Sequence, residues 1–140
     1  MTAESRIAEL KAAAPVRERG RWARVGGRVY LCGTLGVEFD RWQRALSLRS
    51  AADALFAQQL GLEAVERLMD RLEDEARAEV EATGAHLARR VSPGYGKWPL
   101  ELSREILQAL DATRQLGVTL SESLLLIPSK SVTALCEVTA

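Results

Sequence analysis

Arg90-Val-Ser-Pro-Gly-Tyr-Gly-Lys-Trp-Pro99 gathers a guanidinium, a polar-tipped aromatic ring, two prolines and two glycines into one short stretch. Pro93 fixes its own φ and pushes Ser92 toward extended backbone, while Gly94 and Gly96, on either side of Tyr95, permit angles closed to other residues. The stretch therefore reads as a shaped loop between a strand and a helix, with Pro99 suited to the first turn of that helix. Such a loop turns backbone N–H and C=O groups, Arg90 and Tyr95 toward one space, which fits a zwitterionic ligand carrying a flat ring. An ordinary tight connection has the same composition, so the flanking sequence has to decide.

Upstream, residues 86–91 alternate enough to be a strand, and Gly84 reads as the stop of the preceding helix. That helix, predicted over 62–83, places Leu62, Val65, Leu68, Met69, Leu72, Ala76 and Val80 on one stripe. Gly61 is read as an interruption, with a separate Ala-rich helix over 51–60 capped by Ser50. A shorter helix over 37–46 buries Phe39 or Leu46 with Trp42. The run Val29-Tyr30-Leu31-Cys32 is apolar on both parities, so the strand over 28–35 should be covered on both faces, inside a sheet. Residues 21–27, with Trp22 and Gly26-Gly27, read as a turn, and residues 2–14 as a short peripheral helix stopped by Pro15.

Downstream, a helix over 99–113 buries Leu102, Ile106, Leu107 and Leu110. Two β-rich runs, 124–127 and 132–139, flank Pro128-Ser129-Lys130-Ser131, which reads as a hairpin or tight connection. The fold class expected is α+β, with helices packed against a mostly antiparallel sheet. One domain is expected over 1–140, residues 1–27 being a peripheral helix and turn and 28–140 the core.

With 19 basic and 19 acidic side chains the net charge is zero, so no broad field favours nucleic acid or an anionic membrane. Arg17, Arg19, Arg21, Arg24 and Arg28 form a local basic run, read as solvated or partner-facing. No apolar run approaches the roughly 20 residues that span a bilayer, and a cytoplasmic protein is expected. Cys32 and Cys136 are isolated and read as buried free thiols. The chain carries no P-loop, no nucleophile elbow, no GxGxxG and no Cys/His ligand spacing, which argues for a ligand-presenting module over a self-contained catalyst.

The pattern Arg90-x-x-x-Gly94-Tyr95-x-x-x-Pro99 is followed by Gly117-Val118-Thr119-Leu120-Ser121-Glu122-Ser123 and Pro128-Ser129-Lys130-Ser131-Val132-Thr133-Ala134. In that order and spacing these segments resemble the S-adenosylmethionine-binding reactivation domain of cobalamin-dependent methionine synthase, in its short free-standing form. The resemblance runs from about residue 33 to 138 and is strongest from Arg90 onward. It implies that Arg90 takes the ligand carboxylate and that Glu66, within Ala64-Val65-Glu66-Arg67-Leu68, takes its ammonium group, whereas the neighbouring charges Glu63, Arg67 and Asp70 equally fit Glu66 as a surface residue. Tyr95 and the backbone of Val91, Ser92, Pro93 and Gly94 would take the nucleoside or tail, with Lys130 and Ser131 lining the pocket. Gly33-Thr34-Leu35-Gly36 resembles the family's strand-to-helix connection. The only histidine, His86, is not in the Asp-x-His-x-x-Gly setting of a corrin ligand, so the cobalamin would belong to a methionine synthase partner subunit, reduced by flavodoxin or another donor.

Two departures keep other readings open. An upstream acidic contact of the larger enzyme has no match here, and the extra C-terminal helices of the long form are not seen. Part of the pocket would then be absent, or supplied by a homo-oligomeric neighbour. Alternatively the chain keeps the fold as an interaction protein without the ligand, or reactivates another corrinoid methyltransferase.

Overall fold

A computed structural model describes residues 2–140. In chain order the elements are α1 (Ala3–Ala13), β1 (Arg19–Val25), β2 (Arg28–Thr34), α2 (Val37–Ser47), α3 (Ala51–Ala82), β3 (His86–Leu87), α4 (Leu102–Leu110), α5 (Ala112–Leu116), β4 (Thr119–Leu120), β5 (Leu126–Ile127) and β6 (Ser131–Thr139). Four strands form one antiparallel sheet in the order β1-β2-β6-β3, and β4 pairs with β5 apart from it. The expected α+β class, helices against an antiparallel sheet, is the one observed.

The both-parity apolar run places β2 at the centre, because each face of a strand is a separate surface to bury. Val29 and Leu31, with Ala134 and Cys136 of β6, face Leu68, Met69, Leu72, Ala76 and Val80 of α3. Tyr30, Cys32 and Leu135 face the opposite layer, built from Ile106, Leu107, Leu110, Ala112 and Leu116. Full burial of each such aliphatic side chain contributes about 1.5–3 kcal/mol. Burial also pushes both thiols, Cys32 and Cys136, up to about 12, so neither is a thiolate near neutral pH. α1 is fastened to the start of α3 by Arg6, whose guanidinium bonds Asp53, and this bond holds the Asp53 carboxyl below its usual range.

Five expectations are corrected. Residues 21–27 are mostly strand: β1 pairs with β2 from Arg19↔Thr34 to Val25↔Arg28, leaving only Gly26-Gly27 as the turn. β1 is an edge strand, where arginines remain solvated and the apolar alternation of an inner strand is not required. Gly61 does not interrupt anything, because α3 runs unbroken for 32 residues. Of the strand predicted over 86–91, only His86–Leu87 and a single bridge, Val91↔Leu135, pair with β6. The helix predicted over 99–113 begins at Leu102 and breaks at Asp111, which adopts a left-handed conformation (φ 51°). Of the two readings of 128–131 the tight connection holds, joining β5 to β6, and the hairpin does not: β5 pairs back to β4, and β6 pairs with β2 in the central sheet.

Gly61 is a glycine for reasons of packing. A Cβ there would lie 2.7 Å from Cε1 of Phe39 and 2.9 Å from Cε of Lys130. Gly61→Ala would gain roughly 1 kcal/mol of helix propensity, yet it is expected to destabilise the protein by about 1–3 kcal/mol, because the Phe39 ring is fully buried and cannot swing away. Equilibrium denaturation checks the sign.

Candidate functional site

The segment 88–99 leaves the sheet edge and folds back on itself. Its last sheet bonds are the Val91 N–H to the Leu135 carbonyl at 2.8 Å and the return bond at 2.9 Å. Beyond them the Gly94 N–H donates to the Trp98 carbonyl at 2.8 Å, and Gly94 and Gly96 occupy positive φ, 95° and 59°. Trp98 pins the loop to β2, its ring lying 4.7 Å from the Arg28 guanidinium carbon and 4.9 Å from the Lys97 ammonium. The predicted shaped loop is therefore present, with a fixed entrance and exit.

Arg90, immediately before that loop, turns toward α3. Its Nη2 donates to Glu66 at 2.8 Å, and its Nη1 donates to Asp70 and to Glu73, each at 2.8 Å. Burial works against the charge, but the three carboxylates outweigh it and raise the Arg90 pKa above its ordinary value. Glu73, with 12% of its side chain exposed, also accepts from Arg77 at 2.8 Å. Arg77 in turn reaches the Leu87 and Ala88 carbonyls at 3.5 and 3.4 Å. Glu66, Asp70, Glu73 and Arg77 follow one another at helical spacing, so one stripe of α3 supplies the whole network. Glu73 and Arg77 were not named from sequence, although their helical spacing from Glu66 and Asp70 is readable there.

An open cleft of about 830 Å³ lies along this network, between α3 and residues 86–90, lined by Glu66, Asp70, Arg77, His86 and Arg90 among others. Glu66 and Arg90, named from sequence as the ammonium and carboxylate partners, are thus neighbours on one wall. A second cleft of about 390 Å³ lies on the other side of the segment, lined by Ser92, Pro93, Leu100, Leu125 and Ser131 among others. It is more apolar, and three of its hydroxyls are paired, Ser131 with Thr34 at 2.7 Å and Ser103 with Thr133 at 3.0 Å. Val91 sits between the two clefts in the sheet ladder. Tyr95 is 69% exposed and, with Gly94, lines neither. Lys130 lies in a different cleft, against α2 and α3. The expected single pocket walled by the loop and the terminal strands is thus divided between separate clefts, because Lys130 and Ser131 are adjacent in extended chain and face opposite ways. In the Gly33-to-Gly36 connection, Gly33 is filled against Met69 and Leu68 of α3, so helix packing accounts for that glycine.

The residues after Val91 leave part of the β6 edge open. Leu135 and Glu137 direct their backbone groups to Val91 and Ala88. Alternation along an antiparallel strand aims those of Thr133 at the same edge, where Ser92 and Pro93 have already turned away.

These elements define an α+β domain in which a charged helix stripe meets the entrance of a glycine loop. No protein-family model matches the chain, and no curated protein matches it by sequence. Among solved structures it is similar to the crystal structure of the MetH reactivation domain bound to AdoHcy, with a TM-score of 0.67 and 19% identity. The match covers 79% of this chain and 38% of the solved one. The two share a fold, and this chain spans well under half the length of that neighbour.

Proposed function

We propose that the chain binds S-adenosylmethionine and presents its methyl group for reductive remethylation of a cobalamin carried by a separate methionine synthase subunit. The single observation that carries this reading is the meeting of Arg90 and Glu66, 2.8 Å apart, at the entrance of the Gly94-Tyr95 loop. One cation and one carboxylate side by side are the complement of an α-amino acid: its carboxylate would replace Glu66 or Asp70 on Arg90, and its ammonium would sit on Glu66. Ser92, Pro93 and Ser131, which line the second cleft, would hold the tail and nucleoside, reached past Val91, and the exposed Gly94 and Tyr95 would have to fold over the bound ligand; Lys130 has a separate setting. The shared fold with a domain solved with AdoHcy supports the same ligand class.

S-adenosylmethionine brings its own leaving group and reduced cobalamin is a strong nucleophile, so this chain's residues need only hold and aim the methyl. Flavodoxin or another one-electron donor would supply the reduction. The test combines the chain, S-adenosylmethionine, a donor and an oxidatively inactivated methionine synthase subunit lacking its own reactivation domain. Methionine formation is expected to return only when the chain is present. If another corrinoid methyltransferase is restored instead, the partner assignment changes and the ligand assignment stands.

A second reading has its own support. Three of the five N–H donors of Arg90 are already taken by three carboxylates, as they would be in a purely structural clamp. An interaction protein that has lost the ligand would show no S-adenosylmethionine binding at all.

A further inference from the structure

Lys130 is 5% exposed, yet among the described residues no carboxylate lies within ion-pair distance of its ammonium group. Among the described residues its one hydrogen bond goes to the amide oxygen of Gln43 at 3.2 Å, and Gln43 donates to Gln58 at 2.8 Å. Asp40 is nearby, but its two oxygens accept from the Ser129 N–H at 2.9 Å and the Ser129 hydroxyl at 2.7 Å. An ammonium group has three N–H donors, so two have no hydrogen-bond acceptor among the described residues; the Phe39 ring centroid lies 5.8 Å from Nζ, and Lys130 lines a cleft of about 560 Å³ between α2, α3 and Ser129. Arg44, exposed on α2 and in no ion pair among the described residues, lines the same cleft. Against the single carboxylate Asp40, the cleft therefore has an excess of positive charge. Burial pulls the Lys130 pKa below its usual value, as expected for an under-compensated cation.

One feature at this point is costly to the fold and is not required by it. A buried cation without a counter-charge is destabilising where a methionine would pack. We propose that this cleft is a binding site for a small oxyanion, a carboxylate or phosphate group, seated on Lys130 and Arg44. The site lies apart from the Arg90 cleft, and its occupancy does not depend on S-adenosylmethionine.

Inorganic phosphate and acetate, titrated separately at constant ionic strength into isotope-labelled full chain, provide the test by nuclear magnetic resonance. Saturable shifts are expected at the Gln43 and Gln58 side-chain amides and at the backbone of Ser129 and Lys130. Lys130→Met should weaken them at least about tenfold, and Arg44→Gln by several-fold, roughly the worth of one charge-assisted bond. Lys97→Met, on the distant loop, should change nothing. Binding of phosphate alone identifies a phosphate site, and binding of both probes a general oxyanion site. Absence of saturable shifts with either probe overturns the proposal, as does an unchanged affinity in Lys130→Met. Should that variant fail to fold, Arg44→Gln alone decides, because its side chain is exposed and its affinity must still fall.

Discussion

Arg90→Ala is expected to weaken S-adenosylmethionine binding more than tenfold, since a charge-assisted hydrogen bond to a carboxylate is worth about 1.5–3 kcal/mol and each 1.4 kcal/mol is a decade in affinity. The fold should survive. Glu66 and Asp70 are mostly exposed and rehydrate when Arg90 is removed, and the more buried Glu73 keeps its bond to Arg77. A stability loss of about 1–2 kcal/mol is expected from the half-paired Glu73, a melting shift of a few degrees for a domain of this size. Calorimetric titration of the variant, with circular dichroism to confirm folding, separates the two effects. Unchanged affinity in a folded Arg90→Ala would leave the α3 network as scaffold only. A fall in stability of the kind expected from losing a core residue would make Arg90 chiefly a structural clamp.

Phe39→Ala carries the largest expected effect on stability, about 3–5 kcal/mol. The ring is fully buried among Leu35, Ala64 and Val65, and meets Trp42 edge-on at a centroid distance of 5.3 Å. It also fills the notch at Gly61, so its removal opens a cavity between α2 and α3 that neither helix can close without breaking the Gln43 to Gln58 contact. Urea denaturation followed by tryptophan fluorescence reads the loss. A cost below about 1 kcal/mol would mean that α2 is peripheral to the core.

The centre of this fold is legible because it obeys one-dimensional rules. The both-parity run around Leu31 specifies a strand covered twice, and the stripe from Val65 to Val80 specifies the helix that covers one face. What escaped has a tertiary cause. β1 is an edge strand written in arginine and glycine, so nothing in its local pattern distinguishes it from a turn. Gly61 reads as a break because the reason for it, the Phe39 ring and the Lys130 stem, comes from elsewhere in the chain. Leu124-Leu125-Leu126-Ile127 and the run from Val132 look like hairpin partners, but their partners are Thr119–Leu120 and β2, a choice that depends on sheet topology.

The candidate site divides in the same manner. Arg90, Glu66 and the loop after them were readable from pattern, and they are adjacent in space. Asp70, Glu73 and Arg77 follow Glu66 at a helical spacing that the sequence shows, but that the stripe receives Arg90 is decided by the fold. The split between clefts follows from strand parity and from where the chain leaves the β6 edge, after Val91, which no residue type announces.

Titration of the intact chain with S-adenosylmethionine tests the central claim most directly. Saturable, single-site binding is the result expected, competed by S-adenosylhomocysteine and diminished by Glu66→Gln. A chain that is folded by circular dichroism and takes up no S-adenosylmethionine would contradict it.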